Sequence, residues 1–237
     1  QSKNINDVGS IKRARRKMMT DNTRRAELVS KIITKRSRIL EIGSGHGFFL
    51  DIMKKNGYDI TGSEISKEKR KYSKKVTKVP VLDININEKI PITKSFDIVV
   101  LFHVLEHITD PVILLKNIKK LLKPKGKVLV EVPNCDDFHL GLNKFYKEFY
   151  WQRAHIHYFN PKSLKTMINL GGFKSIKITG VQRYSMENFF NWILKNKPQI
   201  ENPTFSLSSE LNRLDESWKK YLERNLICDT LISIANI

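Results

Sequence analysis

Cysteine is almost missing: Cys135 and Cys228 are the only two in 237 residues, and neither belongs to a Cys-x-x-Cys pair. That excludes a disulfide framework and a cysteine-rich structural zinc site, and both thiols are expected to be reduced. Apolar runs near the ~18 residues that cross a bilayer are also missing, and Gln1-Ser2-Lys3 does not lead into a signal-type apolar stretch. A cytoplasmic protein with no transmembrane segment is therefore expected. The lack of an initiator methionine points to a trimmed chain or a piece of a longer polypeptide. Acidic residues are few, 24 against 43 Lys and Arg, giving a net charge of +19. Residues 1–40 hold 12 Lys and Arg against three Asp and Glu, nearly half of that excess. Such a balance favours anionic partners and says nothing of fold.

What is present has the rhythm of an α/β domain. Between Arg38 and Val132 short apolar runs alternate with helix-period stretches, the pattern of a parallel sheet with crossover helices. Strands are expected at Arg38–Ile42, Tyr58–Gly62, Val79–Leu82, Phe96–Phe102, Lys127–Val132, Phe173–Ile178 and Thr230–Ile237. Helices are expected over His46–Asn56, the very basic Lys67–Lys75, the segment from Pro111 to Leu121, and Pro161–Leu170, with Lys123-Pro124-Lys125-Gly126 stopping the third. Residues 1–36 read as a basic arm, helical from about Thr23. Residues 37–237 read as the main domain, with an amphipathic helical insertion at 184–225 broken at Pro198–Pro203.

Glycine is scarce too, 11 residues, yet three of them fall in Glu41-Ile42-Gly43-Ser44-Gly45-His46-Gly47, between an expected strand and an expected helix. There bare backbone approaches a ligand and helix-start amides face it. A dinucleotide fingerprint needs G-x-G-x-x-G, and Phe48 occupies its third glycine position, which disfavours NAD. Glu64, 21 residues after Gly43, stands at the end of the second strand, placed to accept from the hydroxyls of a ribose. Together they point to an adenosine-containing cofactor.

Glu41-x-Gly43-x-Gly45-x-Gly47, Gly62-x-Glu64-x-Ser66, Leu82-Asp83, Phe96-Asp97, Val104-Leu105-Glu106-His107 and Asp110-Pro111 resemble the class I S-adenosylmethionine-dependent methyltransferases related to the ubiquinone-biosynthesis O-methyltransferases, over residues 38–180. The resemblance implies a Rossmann-like fold with seven strands in the order 3-2-1-4-5-7-6, the last antiparallel, and helices on both faces. It also implies a donor site: Glu41, Gly43, Ser44, Gly45 and Gly47 in the loop for the methionine part of S-adenosylmethionine, Glu64 for the ribose, Asp83 for the adenine amino group, Leu101, Phe102 and His103 near the sulfonium, and Ile65 and Ile84 as further cofactor-binding residues.

Methyl transfer is an in-line displacement in which alignment supplies much of the rate, while a protonated hydroxyl acceptor benefits from a base. All six histidines lie between His46 and His157. His103, directly after the fourth strand at the ligand-binding edge of an open sheet, is the first candidate base. His155 and His157, alternating on an extended segment, come next, and His107 reads as a loop brace. Any one of them could instead be a satisfied packing histidine. No metal site is expected: Asp136-Asp137 could hold a divalent cation, but a third carboxylate after the fourth strand is missing and His103 stands there.

The Trp151–Phe173 stretch and Asp229-Thr230-Leu231-Ile232 resemble enzymes that modify surface polysaccharides, so the expected acceptor is a hydroxyl of a sugar, nucleotide sugar or glycan, anionic or phosphorylated. Phe145, Tyr146, Phe149, Tyr150, Trp151 and Tyr158 could stack on its face. The Arg13–Lys17 cluster raises an RNA ribose methyltransferase as an alternative. DNA amino-methylation would need an Asp/Asn-Pro-Pro-aromatic string where Leu101-Phe102-His103-Val104 stands, and cytosine-carbon methylation a Pro-Cys pair, whereas Cys135 follows Asn134. A quinone-precursor O-methyltransferase that docks on membrane through the basic arm is a further alternative.

Overall fold

The computed structural model describes residues 8–84, 95–198 and 212–237. In chain order the elements are α1 (Val8–Ile32), β1 (Arg38–Ile42), α2 (Phe48–Lys55), β2 (Asp59–Ser63), α3 (Lys67–Thr77), β3 (Val81–Leu82), β4 (Phe96–Phe102), α4 (Pro111–Leu121) and β5 (Leu122–Pro133). They continue with α5 (Lys144–Tyr150), α6 (Pro161–Leu170), β6 (Lys174–Val181), α7 (Met186–Lys195), α8 (Asn212–Arg224) and β7 (Thr230–Asn236). Among the described residues the strands form one mixed sheet in the order β3-β2-β1-β4-β5-β7-β6, as the resemblance implies. The chain divides into two compact units, one of residues 1–102, 113–129 and 236–237, the other of residues 103–112 and 130–235.

In the first unit β1 pairs in parallel with both β2 and β4, bringing Ile42 beside Ser63 on one side and Leu101 on the other. Strand order therefore reverses across β1, and open α/β sheets bind ligands at the carboxyl ends of strands at such a point. A strand covered on both faces reads as a continuous apolar run. Ile98, Val99, Val100 and Leu101 of β4 are accordingly buried, with Ile39 and Leu40 of β1. Phe49 and Met53 of α2 and Leu114, Leu115 and Ile118 of α4 are also buried, at helical spacing. In the second unit Leu164 and Ile168 of α6, Phe173, Val132 and Leu231 are buried, and Tyr146, Tyr150 and Trp192 form an aromatic cluster.

Three boundaries differ from the sequence reading by more than two residues. Helix α1 begins at Val8, well before Thr23, because its early turns are anchored: Ile11 is buried and Arg15 is ion-paired with Asp51 of α2. Strand β5 starts at Leu122, so the Lys-Pro-Lys-Gly stretch belongs to the strand. Ser95 N donates to Leu121 O at 2.8 Å and Lys123 Nζ to Asp97 Oδ2 at 2.8 Å, while Lys125 takes φ +65°. Strand β6 runs on to Val181. Beyond Pro198, the expected Pro198–Pro203 break lies outside the described residues.

Phe49 is fully buried and edge-on to Phe102 at 4.9 Å between ring centroids. Phe49→Ala is expected to cost about 3–5 kcal/mol of unfolding free energy. Chemical denaturation reads this, and a loss under ~1 kcal/mol would show that this core collapses without strain.

Candidate functional site

The loop after β1 is built from left-handed backbone. Gly43, Gly45 and Gly47 have φ of 71°, 53° and 80°, a region that L side chains avoid. Gly43 N and Ser44 N both donate to Ser63 O, at 2.8 and 2.9 Å, so the loop is pinned to the end of β2. The buried Glu64 then spans two amides: Oε2 accepts from Gly45 N and Oε1 from Ser66 N, both at 2.8 Å. Ser66 is the N-cap of α3. Arg70 fastens the far side, donating to Glu64 O and Asp83 Oδ2, both at 2.6 Å.

Around this loop stand polar groups without a partner. Glu41 Oε2, Ser44 Oγ and His46 Nε2 are buried and make no hydrogen bond among the described residues. Burial pushes the Glu41 carboxyl up to about 8, the neighbouring Glu64 acting in the same direction and Arg25 against it. His46 lies 5.7 Å from the Phe48 ring and 5.6 Å from Tyr72, and burial holds its imidazole below the ordinary histidine range. A side chain at Gly45 would meet nothing within 4 Å, so the space over the loop is open. Open space, left-handed amides and an orphaned carboxylate oxygen suit a ligand with a cationic, hydrogen-bonding end.

The second unit holds a cavity of about 270 Å³ whose lining includes His103, Glu106, Tyr146, Tyr150, His155 and Arg183. His103 takes φ +54°, strained for a residue with a side chain, at the point where β4 ends. Its Nδ1 lies 3.1 Å from Glu106 Oε1, and its Nε2 lies 3.4 Å from Glu131 Oε1 and 3.4 Å from Arg183 Nη1. Burial disfavours its charged form, but the two carboxylates outweigh burial and Arg183, so His103 sits above the usual histidine range. Arg183 is itself oriented by Asp229, which accepts from its Nε at 3.0 Å and its backbone N at 2.8 Å. His155 is held below the ordinary range, chiefly by burial, with Glu106 acting against it.

A family model described as a methyltransferase domain matches residues 11–178. The chain belongs to this family. A ubiquinone biosynthesis O-methyltransferase of Coxiella burnetii is 26% identical over 181 residues, covering 68% of this chain and 74% of that protein. Another, from Idiomarina loihiensis, is 25% identical over 162 residues, covering 61% of this chain and 64% of that protein. A SAM-dependent methyltransferase from Archaeoglobus fulgidus superposes with a TM-score of 0.65 at 22% identity, covering 92% of this chain and 94% of that one. A Haemonchus contortus phosphoethanolamine N-methyltransferase, solved with S-adenosylhomocysteine, gives 0.58 at 24% identity, covering 86% and 49%. The protein is a S-adenosylmethionine-dependent methyltransferase.

Within this methyltransferase the donor-side candidates other than His103 fall in the first unit, and His103 opens the second. Glu41, Gly43, Ser44, Gly45, Gly47 and Glu64 make up the loop and its brace, while Ile65 is 76% exposed. Asp83 is exposed and ion-paired with Arg70, Ile84 is half-buried, and Leu101 and Phe102 are buried. His103 and His155 line the same cavity, whereas His157 is not part of that lining and its Nε2 is 3.5 Å from Thr109 O. Asp136 and Asp137 do not act as a pair. Asp136 is exposed, while both oxygens of the buried Asp137 are engaged, by His139 Nδ1 at 2.6 Å and Tyr146 OH at 2.5 Å. Sequence reasoning missed Arg70, hidden in a run of helix lysines, and the pair Arg183–Asp229, whose members are 46 positions apart.

Gly47→Ala would set a Cβ 2.2 Å from Ser73 Oγ at φ +80°, whereas Gly45→Ala carries only the backbone strain of φ +53°. Left-handed backbone alone costs about 1–2 kcal/mol, so Gly47→Ala is expected to lose clearly more stability than Gly45→Ala. Parallel thermal melts check this, and equal losses would contradict the packing described.

Proposed function

We propose that the protein methylates a hydroxyl oxygen of a small aromatic acceptor, seated in the cavity with His103 as the base. The observation that carries this is His103 itself: a strained residue immediately after β4, its Nδ1 braced by Glu106, lining a cavity walled by Tyr146, Phe149, Tyr150 and Tyr184. Flat aromatic walls suit a flat ring. The Coxiella burnetii and Idiomarina loihiensis relatives are named as O-methyltransferases of ubiquinone biosynthesis, which favours a phenolic hydroxyl. The sugar hydroxyl expected from the sequence finds no counterpart among those names.

Bound S-adenosylmethionine supplies a methyl group already activated on a sulfonium. In this reading the residues of the chain divide the remaining tasks. The left-handed loop amides and Glu41 take the cationic amino-acid end, Glu64 keeps a lone pair on each oxygen for the ribose hydroxyls, and Asp83 serves the adenine amino group. Tyr146 and Tyr150, whose hydroxyls burial pushes above the ordinary tyrosine range, stay neutral and shape the acceptor pocket. His103 Nε2 accepts the hydroxyl proton as the new bond forms.

Two outcomes are expected. His103→Ala should lower kcat with a phenolic acceptor by about 10²–10⁴, the usual worth of a positioned base, with donor affinity retained. His157→Ala should cost at least tenfold less. Equal activity of wild type and His103→Ala would remove the base.

Glu41 gives a second prediction. Burial raises its pKa to about 8, so the donor-free carboxyl is protonated near neutrality, and a cationic ligand favours the ionised form, so uptake releases a proton. Affinity for S-adenosylmethionine, read by calorimetry, should therefore rise with pH by up to about tenfold per unit and level off above about 8. Glu41→Gln should flatten that slope, and a wild-type affinity independent of pH would contradict the assignment.

A further inference from the structure

Three side chains of the second unit converge in a way that the proposed base chemistry leaves unexplained. Glu106, His107 and His155 each present one ligand atom, and all three atoms lie within 4.8 Å of one another. Glu106 is 1% exposed; Oε1 meets His103, and Oε2 is buried with no hydrogen-bond partner among the described residues. His155 Nδ1 is in the same condition. A buried carboxylate oxygen left without a partner is costly, and so is a stranded ring nitrogen, which makes two of them in one cluster a feature that needs a cause.

His107 supplies the third donor. Its Nδ1 is 2.8 Å from Ala154 O, and a carbonyl only accepts, so Nδ1 carries the hydrogen and the neutral ring keeps its lone pair on Nε2. Metal-ligating histidines are oriented in this way, one nitrogen donating to a carbonyl while the other faces the ion. The His107 and His155 rings lie edge to face, 4.8 Å apart. The two chain segments are held in register by backbone bonds, Ile156 N and His157 N both donating to Glu106 O, at 2.8 and 3.1 Å.

We propose that Glu106 Oε2, His107 Nε2 and His155 Nδ1 bind one divalent cation of the borderline class that two imidazoles and a carboxylate select, such as zinc or cobalt. Ligand distances near 2.0–2.2 Å put tetrahedral neighbours roughly 3.4 Å apart, so the three groups close in by about an ångström from their present spacing. Three protein ligands leave a fourth position free, as in catalytic sites of this type. Glu106 and His155 both line the cavity, which places that position where an acceptor oxygen would be polarised. This last role rests on the proposed function; the binding of the ion does not.

The test uses the whole chain, stripped with a chelator, and Co²⁺ as probe. Titration followed by visible absorption and by calorimetry should give one site per chain with the intense d–d bands of a four- or five-coordinate ion. His107→Ala, His155→Ala and Glu106→Gln should each weaken it at least tenfold. His107 is exposed, so His107→Ala is the variant least exposed to a folding defect, and retained S-adenosylhomocysteine binding certifies each variant. Absence of stoichiometric Co²⁺ binding, or binding unchanged in all three variants, overturns the site. Neither measurement involves an acceptor, so the phenolic reading and the metal site can fail separately.

Discussion

One carboxylate organises the glycine loop of this molecule. Glu64 accepts from the amide of Gly45 in the glycine loop and from the amide of Ser66 at the start of α3. Each such charge-assisted bond is worth about 1.5–3 kcal/mol, more than an ordinary neutral one. Left-handed backbone at three glycines has no preference of its own for a single shape, so the loop needs this brace. Arg70, bonded to Glu64 O and to Asp83, extends the brace from β2 to the end of β3. The groups left over, Glu41 Oε2, Ser44 Oγ and His46 Nε2, are the unsatisfied atoms around the loop, which is what a site organised before its ligand arrives retains.

The cavity of the second unit follows a different logic. There the chain assembles a histidine between two carboxylates, Glu106 and Glu131, and sets Arg183 beside it through Asp229. Aromatic side chains close the cavity, and two of them, Tyr146 and Tyr150, also belong to the cluster with Trp192. The same residues thus serve packing and pocket, which couples the shape of the pocket to the stability of the second unit.

The sequence showed the sheet well and the site partly, for physical reasons. Strands buried on both faces write short, largely apolar runs, so β1 and β4 were legible to the residue, while the Asn160-Pro161 start and Gly171 end delimit α6 by capping. Helix α1 was legible only in its second half, because Arg15 secures an earlier turn through Asp51, and no local pattern announces an ion pair across 36 positions. The start of strand β5 was masked by Lys-Pro-Lys-Gly, which reads locally as a turn but joins the strand, with Lys123 bonded to Asp97 and Leu121 to Ser95. At the site, the glycines and Glu64 carry spacing information, whereas the meeting of Glu106 and His107 with His155 depends on a chain return that only tertiary structure records.

The central claim is that the glycine loop, held by Glu64, receives S-adenosylmethionine. Calorimetric titration of S-adenosylhomocysteine into the wild-type chain and into Glu64→Ala measures it most directly. The account predicts one site per chain in the wild type, with affinity at least tenfold lower once the carboxylate is gone. Absence of binding to the wild type at high ligand concentration, or undiminished binding by Glu64→Ala, would contradict it.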